Sequence, residues 1–111
     1  MIYFVEYWNV KPAWHALSTQ ARAEYMEQVG AAIQGLIEQG VQVLTWSKND
    51  ENTAQKANYD YFAIWGFPNQ ATADHFQALV EGAGWYNYFE QVNMMGAADT
   101  AENVIGQLIH L

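Results

Sequence analysis

Four stretches of the chain combine alternating polarity with many β-branched and aromatic side chains, a pattern typical of β-strands. Residues that interrupt a strand follow two of them. Lys11-Pro12 ends the first, because proline cannot donate to a strand ladder, and Pro68-Asn69 ends the third. The four predicted strands span residues 1–10, 41–48, 58–67 and 88–95.

Apolar residues at three-to-four spacing predict two long helices and a short final one. Ser18 is a suitable N-cap for a helix over residues 19–39, and Asn69 is one for a helix that ends near residue 81. A pattern resembling a capping box at residues 99–102 predicts the start of the final helix. The apolar stripe of that helix consists of Val104, Ile105, Leu108 and Ile109.

The predicted order of elements is β-α-β-β-α-β with an added C-terminal helix, all in one domain over residues 1–111. This is the order of the ferredoxin-like α+β fold, which has a four-stranded antiparallel sheet. Right-handed crossovers place both long helices on one face of that sheet. From the third strand, Phe62 and Ile64 are expected to face the helices. The alternate residues are expected on the helix-free face: Tyr59, Tyr61, Ala63 and Trp65.

A helix-free sheet face rich in aromatic residues needs a cover, because a large bare apolar patch is unusual on a soluble monomer. The commonest cover for such a surface is an identical surface related by a two-fold axis. The sequence therefore predicts a homodimer in which two four-stranded sheets pack face to face.

Composition narrows the possible partners. Twelve acidic residues against four basic ones give a formal charge of −8, which argues against nucleic acid or an anionic membrane as a partner. The absence of cysteine excludes disulfides, thiolate nucleophiles and cysteine-based metal sites, and no histidine-rich motif predicts another metal site. No apolar run approaches the roughly 20 residues of a membrane span. The first residues lack the basic start of a signal peptide, so a cytoplasmic protein is expected.

Three segments of the chain carry a family resemblance. They are EYWNVKPAW (6–14), NYDYFAIW (58–65) and WYNYFEQVN (85–93). Together they resemble a family of small bacterial proteins without an established activity, within the dimeric α+β barrel superfamily. The resemblance extends over nearly the whole chain and implies the dimeric fold, with a cavity in each subunit. The superfamily includes cofactor-free monooxygenases, haem-degrading monooxygenases, isomerases, dehydratases and ligand-binding modules.

Several aromatic side chains on the predicted strands are candidates for a ligand pocket. Tyrosine and tryptophan combine a flat apolar ring with one polar group, which suits a small aromatic ligand. We expect Trp46 and Trp65 to stack on the ligand ring, and Tyr7, Tyr61 and Asn93 to orient its oxygen atoms. The alternative is that these rings form the core and the dimer interface.

Two residues are candidate proton carriers. Glu6 lies inside an apolar strand, where burial would raise the pKa of its carboxyl and suit it to general base catalysis. Its alternative role is structural, either paired with Lys11 or Lys48 or pointing outward at a strand end. His15 follows the first strand in a connection of the kind that often rims a cavity, although it can equally be a surface residue.

The spacing of Trp65 and His75 resembles that of haem-degrading members of the superfamily, in which the histidine binds the haem iron. Those members also carry an asparagine on the first strand, where this chain has Tyr7, with Asn9 two residues on. The chain also has few basic residues that could bind haem propionates. No cofactor is therefore expected, and His75 is an alternative haem ligand only.

The function that these observations favour is the binding of a small aromatic or apolar molecule. If the site is catalytic, the expected chemistry is cofactor-free oxidation or isomerisation of an enolisable aromatic compound or ketone. The alternative is a non-catalytic dimeric binding or stress-associated module. The sequence leaves open whether the chain is an enzyme.

Overall fold

A computed structural model describes residues 1–111 and confirms the predicted fold class and order of elements. Four strands, Ile2–Val10 (β1), Gln42–Lys48 (β2), Tyr61–Phe67 (β3) and Phe89–Ala97 (β4), form one antiparallel sheet in the order β2-β3-β1-β4, as in ferredoxin-like domains. None of the helices is both long and apolar enough to cross a bilayer. The helices are α1 Pro12–His15, α2 Thr19–Glu38, α3 Gln70–Gly82, α4 Trp85–Tyr88 and α5 Ala101–Ile109.

The helix starts follow the capping chemistry of the sequence. The side chains of Ser18 and Asn69 accept hydrogen bonds from backbone amides three residues later, at 3.1 and 2.9 Å, and so begin α2 and α3 as predicted. The final helix begins one residue later than expected. Its N-cap is Thr100, whose hydroxyl accepts from the Asn103 amide at 3.1 Å, while Asp99 accepts from the Asn103 side chain.

Two strand starts differ from the sequence prediction. β3 begins at Tyr61 rather than at residue 58, because the Asn9 side chain bonds the backbone of Asn58 and Asp60 and holds that segment in a turn. β4 begins at Phe89, because the short helix α4 precedes it. Gly84 has a φ of 74°, in the left-handed region that favours glycine, and it leads the chain into α4.

The predicted faces of β3 are reversed in the structure. Ala63, Trp65 and Phe67 face the helices and are buried, whereas Phe62 and Ile64 lie on the helix-free face. The register explains the reversal, since Trp65 pairs with Phe4 on the helix side of β1. Both sets of alternate residues in β3 are apolar, so its periodicity alone cannot tell the faces apart.

The helix-free face of the sheet exists as predicted, but other residues form it. We call it the open face. Neighbouring strands align Val5 with Ile64 and Met94 there, and the same face carries Tyr7, Phe62 and Val92. The β2–β3 loop borders one end of this face through Tyr59, whose ring lies 6.2 Å from that of Tyr7. No helix packs over the rest.

Candidate functional site

A cavity of about 280 Å³ lies between the helix side of the sheet and the two long helices. Its volume is near the lower end for small-molecule sites, roughly 300 Å³. The walls are almost entirely apolar, and the sheet together with the short helix α4 contributes three tryptophans and one carboxylate. These four residues, which we call the tryptophan site, are Trp46, Trp65, Trp85 and Glu6.

The helices supply the roof of the cavity. From α2, Tyr25, Val29 and Ile33 face it, each only partly buried, so the helix stands away from the sheet and leaves the space open. From α3, Phe76 packs on Trp65 with ring centroids 4.7 Å apart. The hydroxyl of Tyr25 donates to the carbonyl of Ala83 at 2.9 Å and links the two ends of the roof.

Glu6 is the polar centre of the site, and only 4% of it is exposed to solvent. The indole Nε1 of Trp65 donates to Glu6 Oε1 at 2.5 Å, and the Gln91 amide Nε2 donates to Oε2 at 2.7 Å. The indole of Trp85 in turn donates to Gln91 Oε1 at 2.7 Å. A chain of hydrogen bonds therefore connects two walls of the cavity through the carboxylate.

Burial raises the pKa of Glu6 from 4.5 to about 7, although the hydrogen bonds from Trp65 and Gln91 pull it in the opposite direction. Neither structural alternative for Glu6 is found, since the residue is buried and pairs with no lysine. Lys11 Nζ donates instead to the Tyr86 carbonyl at 2.6 Å, and Lys48 is exposed. A carboxyl with a pKa near 7 both takes and gives a proton readily at neutral pH.

The partners of Glu6 are all hydrogen-bond donors. An indole N–H can only donate, and Trp85 occupies the carbonyl oxygen of Gln91, which turns the amide NH₂ toward Glu6. Among these partners, a protonated Glu6 has no acceptor for its own O–H. The proton is therefore available to an acceptor atom inside the cavity.

Trp46 forms the rim of the cavity and is 40% exposed. Its ring meets those of Trp65 and Trp85 edge to face, each with centroids 6.1 Å apart. Trp46 therefore joins the other two indoles into one apolar wall, of which its own edge is exposed. This arrangement suits a flat ligand that enters beside Trp46.

The structure brings some of the predicted site residues together. Glu6, Trp46 and Trp65 line one cavity. Asn93 does not line it, but its Oδ1 accepts from Gln91 Nε2 at 2.8 Å, and Gln91 in turn bonds Glu6. The roles expected for Tyr7 and Tyr61 are not supported, since neither residue lines the cavity. Tyr7 is on the open face.

The Tyr61 ring stacks on Trp8, outside the cavity, with centroids 6.0 Å apart. His15 is exposed at the end of α1, and His75 is exposed on α3. Because Phe76 covers Trp65 on the α3 side, His75 and Trp65 do not face a common space. The geometry therefore gives no support to the haem alternative.

Sequence reasoning missed Trp85, which lies three residues before the fourth predicted strand. The signal was the Gly82-Ala83-Gly84 segment, which ends α3 and redirects the chain immediately before the tryptophan. Gln91 lies within the fourth predicted strand, but its position between Glu6 and Trp85 depends on the register of β1 with β4, which pairs Trp8 with Gln91.

Comparison with solved structures finds the same fold. One match is the crystal structure of a protein provisionally named a chlorite dismutase, with a TM-score of 0.67 and 18% sequence identity. The match covers 97% of this chain and 50% of that chain, so the chain spans half the length of that protein. At this identity the likeness shows the fold alone, and the fold agrees with the resemblance to the dimeric α+β barrel superfamily.

A sequence search of curated proteins finds no match. The profile of a family described as a family of unknown function (DUF6616) matches residues 1–111. Because this match spans the whole chain, the protein belongs to that family.

Proposed function

We propose that the chain binds a small, flat, largely apolar molecule in the tryptophan site and that Glu6 transfers a proton to or from it. The observation that carries this proposal is a buried carboxyl, with a pKa raised to about 7, in the wall of an open apolar cavity. A buried carboxyl without a cationic partner destabilises a fold, so a site that retains one is a candidate for proton chemistry.

The chemistry that fits best is isomerisation through an enol. The Glu6 carboxylate takes a proton from a carbon beside a carbonyl, the C–H electron pair moves into a new C=C bond, and the carbonyl oxygen becomes an enolate. Glu6 then returns the proton at another atom. This sequence needs no oxidant or metal, and the donors Trp65 and Gln91 hold the carboxylate in place throughout.

A direct test uses 2-indanone, an enolisable aromatic ketone of suitable size, in D₂O. We expect the protein to speed the exchange of its α-hydrogens for deuterium, followed by NMR. Glu6→Gln is expected to bind the ketone but to lower the enzyme-dependent exchange rate about a hundredfold, a typical loss for a general base. Glu90→Gln, an exposed carboxylate on the open face, is the matched control.

Two results would decide against this proton transfer. Exchange at the same rate in Glu6→Gln and in the unchanged protein would place the chemistry elsewhere. Binding of 2-indanone without any acceleration of exchange would favour the other class of function, a non-catalytic binding module that uses the same cavity.

We also propose that two copies of the chain pack their open faces together. The apolar character of Val5, Phe62, Ile64 and Met94 supports this, as does the superfamily resemblance. Light scattering at micromolar concentration is expected to give roughly twice the chain mass of 12.6 kDa. A single species at the chain mass would contradict the dimer without affecting the proposal for the cavity.

A further inference from the structure

The C-terminal helix α5 is apolar on one side, and nothing in its own subunit covers that side. Ile105 is 54% exposed, Leu108 is 62% exposed and Ile109 is 70% exposed, and the helix buries none of its residues. A short helix with such a stripe gains little stability in water unless the stripe packs against another surface.

The overall shape of the chain agrees with α5 being an arm, that is, a helix that extends away from the rest of the domain. The radius of gyration is 16.1 Å, whereas a compact domain of this length has about 13 Å. The chain measures 52 × 35 × 19 Å along its principal axes. An elongated chain is what we expect if α5, which buries none of its residues, stands away from the sheet and its other helices.

The distribution of charged residues favours a second copy of the chain as the surface that covers α5. The chain carries a formal charge of −8, so two copies repel each other, and the repulsion is smallest when their contact surfaces carry no charge. The arm has one carboxylate, Glu102, in its first turn, and no basic side chain other than His110 at its end. On the open face, the paired rows that contain Val5 and Tyr7 carry no charged side chain.

The area that a stable dimer interface needs also favours a second copy of the chain as the surface that covers α5. Four strands about 4.8 Å apart and seven to nine residues long give the open face a plane of roughly 500 Å². A stable interface buries roughly 800 Å² per partner, so the open face alone is too small. A nine-residue helix is about 14 Å long and about 10 Å wide, so each arm adds roughly 140 Å² and covers as much on the other copy.

We infer that α5 is an exchanged arm, which leaves its own subunit and packs Ile105, Leu108 and Ile109 against a second copy of this chain. The second copy does the same in return, as a two-fold contact requires. The inference rests on the proposed sheet-to-sheet dimer and specifies what completes it.

Cross-linking tests the exchange directly, because the chain has no cysteine and a single introduced thiol is unique. Gln107→Cys, beside the apolar stripe, is labelled with a benzophenone maleimide. ¹⁵N-labelled and unlabelled protein are mixed, unfolded and refolded together, and then irradiated. We expect cross-linked peptides that join labelled to unlabelled chains. Ala78→Cys, exposed on α3, is the control and is expected to give none.

Light–heavy pairs no more frequent for Gln107→Cys than for Ala78→Cys would overturn the exchanged arm. Cross-links found only within one chain would do the same, since they would place α5 on its own subunit. Neither result affects the cavity, whereas a protein that stays monomeric at all concentrations would overturn the sheet-to-sheet contact as well.

A charge introduced into the stripe gives an independent measurement. Leu108→Glu is expected to raise the dimer dissociation constant about tenfold or more, as for the loss of one buried leucine. The matched control is Gln107→Glu, with the same charge on the neighbouring residue. The tryptophan fluorescence of the monomer is expected to stay unchanged, because α5 has no residue in the core. Equal dissociation constants for the two variants would contradict the exchange.

Discussion

The two faces of the single sheet carry similar aromatic and aliphatic residues, but those residues make different contacts. On the helix side, Trp65 is 1% exposed and holds the carboxylate of Glu6 at the wall of a cavity. On the open face, the neighbouring residues Phe62 and Ile64 are half-buried, and their hydrocarbon side chains form no hydrogen bonds. The difference shows that aromatic content alone does not locate a ligand site. The polar atom among the rings, and what bonds it, distinguishes the cavity from an interface.

The largest change in stability is expected when an aromatic side chain is truncated to alanine, once on each face of the sheet. Trp65→Ala is expected to lower the free energy of unfolding by about 3–5 kcal/mol, the usual cost of removing a buried large aromatic side chain. Phe62→Ala on the open face is expected to lower it by about 1 kcal/mol in the monomer. Urea unfolding at concentrations that favour the monomer measures both. Equal losses would mean that the two faces do not differ in burial.

The second prediction concerns pH. Because folding raises the pKa of Glu6 from 4.5 to about 7, the folded state binds its proton more tightly than the unfolded state. The contribution of Glu6 to stability is therefore most favourable below pH 4.5 and declines as the pH rises to about 7. The decline amounts to about 3 kcal/mol.

Glu6→Gln is expected to remove this part of the pH dependence, while the exposed Glu90→Gln is expected to retain it. Urea unfolding from pH 4.5 to 8 measures the difference between the variants and the unchanged protein. Parallel pH profiles for Glu6→Gln and the unchanged protein would rule out a folded-state pKa far above 4.5.

A smaller effect is expected from Trp85→Phe, which removes the N–H that orients Gln91. The amide of Gln91 then donates a weaker hydrogen bond to the Glu6 carboxylate. If this bond loses about 1 kcal/mol, the pKa of Glu6 is expected to rise further, by about half a unit to one unit. Trp46→Phe is the control, because Trp46 lines the same cavity outside the hydrogen-bond chain. The ¹³C shift of the Glu6 carboxyl measures the change, and equal shifts in both variants would deny Trp85 an orienting role.

The smallest change in monomer stability is expected from Ile64→Lys at the centre of the open face. The ammonium group of the lysine reaches solvent in the monomer. The free energy of unfolding of the monomer is therefore expected to change by only about 0.5 kcal/mol. The molecular mass in solution is nevertheless expected to fall to the chain mass of 12.6 kDa, because a charge in the contact prevents the faces from packing. A dimer that persists in Ile64→Lys would place the interface elsewhere.

The order of the elements was predictable because each depends on local patterns. Ser18 and Asn69 mark helix starts through their own side chains, and the 3.6-residue spacing marks the helices. The faces of β3 were not predictable, because Tyr61 to Phe67 is apolar at every position except Gly66. Period-two alternation has no polar reference in such a strand.

The site was predictable in part for a related reason. Glu6 and the tryptophans stand out by residue type, but Glu6 and Trp65 are 59 residues apart in the sequence. Only the pairing of β1 with β3 and β4 places Trp65 and Gln91 within reach of the carboxylate. The role of Trp85 depends further on the turn at Gly84, whose conformation is a property of the folded chain.

The most direct test of a proton-carrying carboxyl in a ligand cavity is the titration of Glu6 itself. Selective ¹³C labelling of the glutamate carboxyls, with assignment by Glu6→Gln, gives its midpoint by NMR. The account predicts a midpoint at a pH of about 7, which moves when 2-indanone fills the cavity. A midpoint near the ordinary 4.5, unchanged by the ketone, would contradict it.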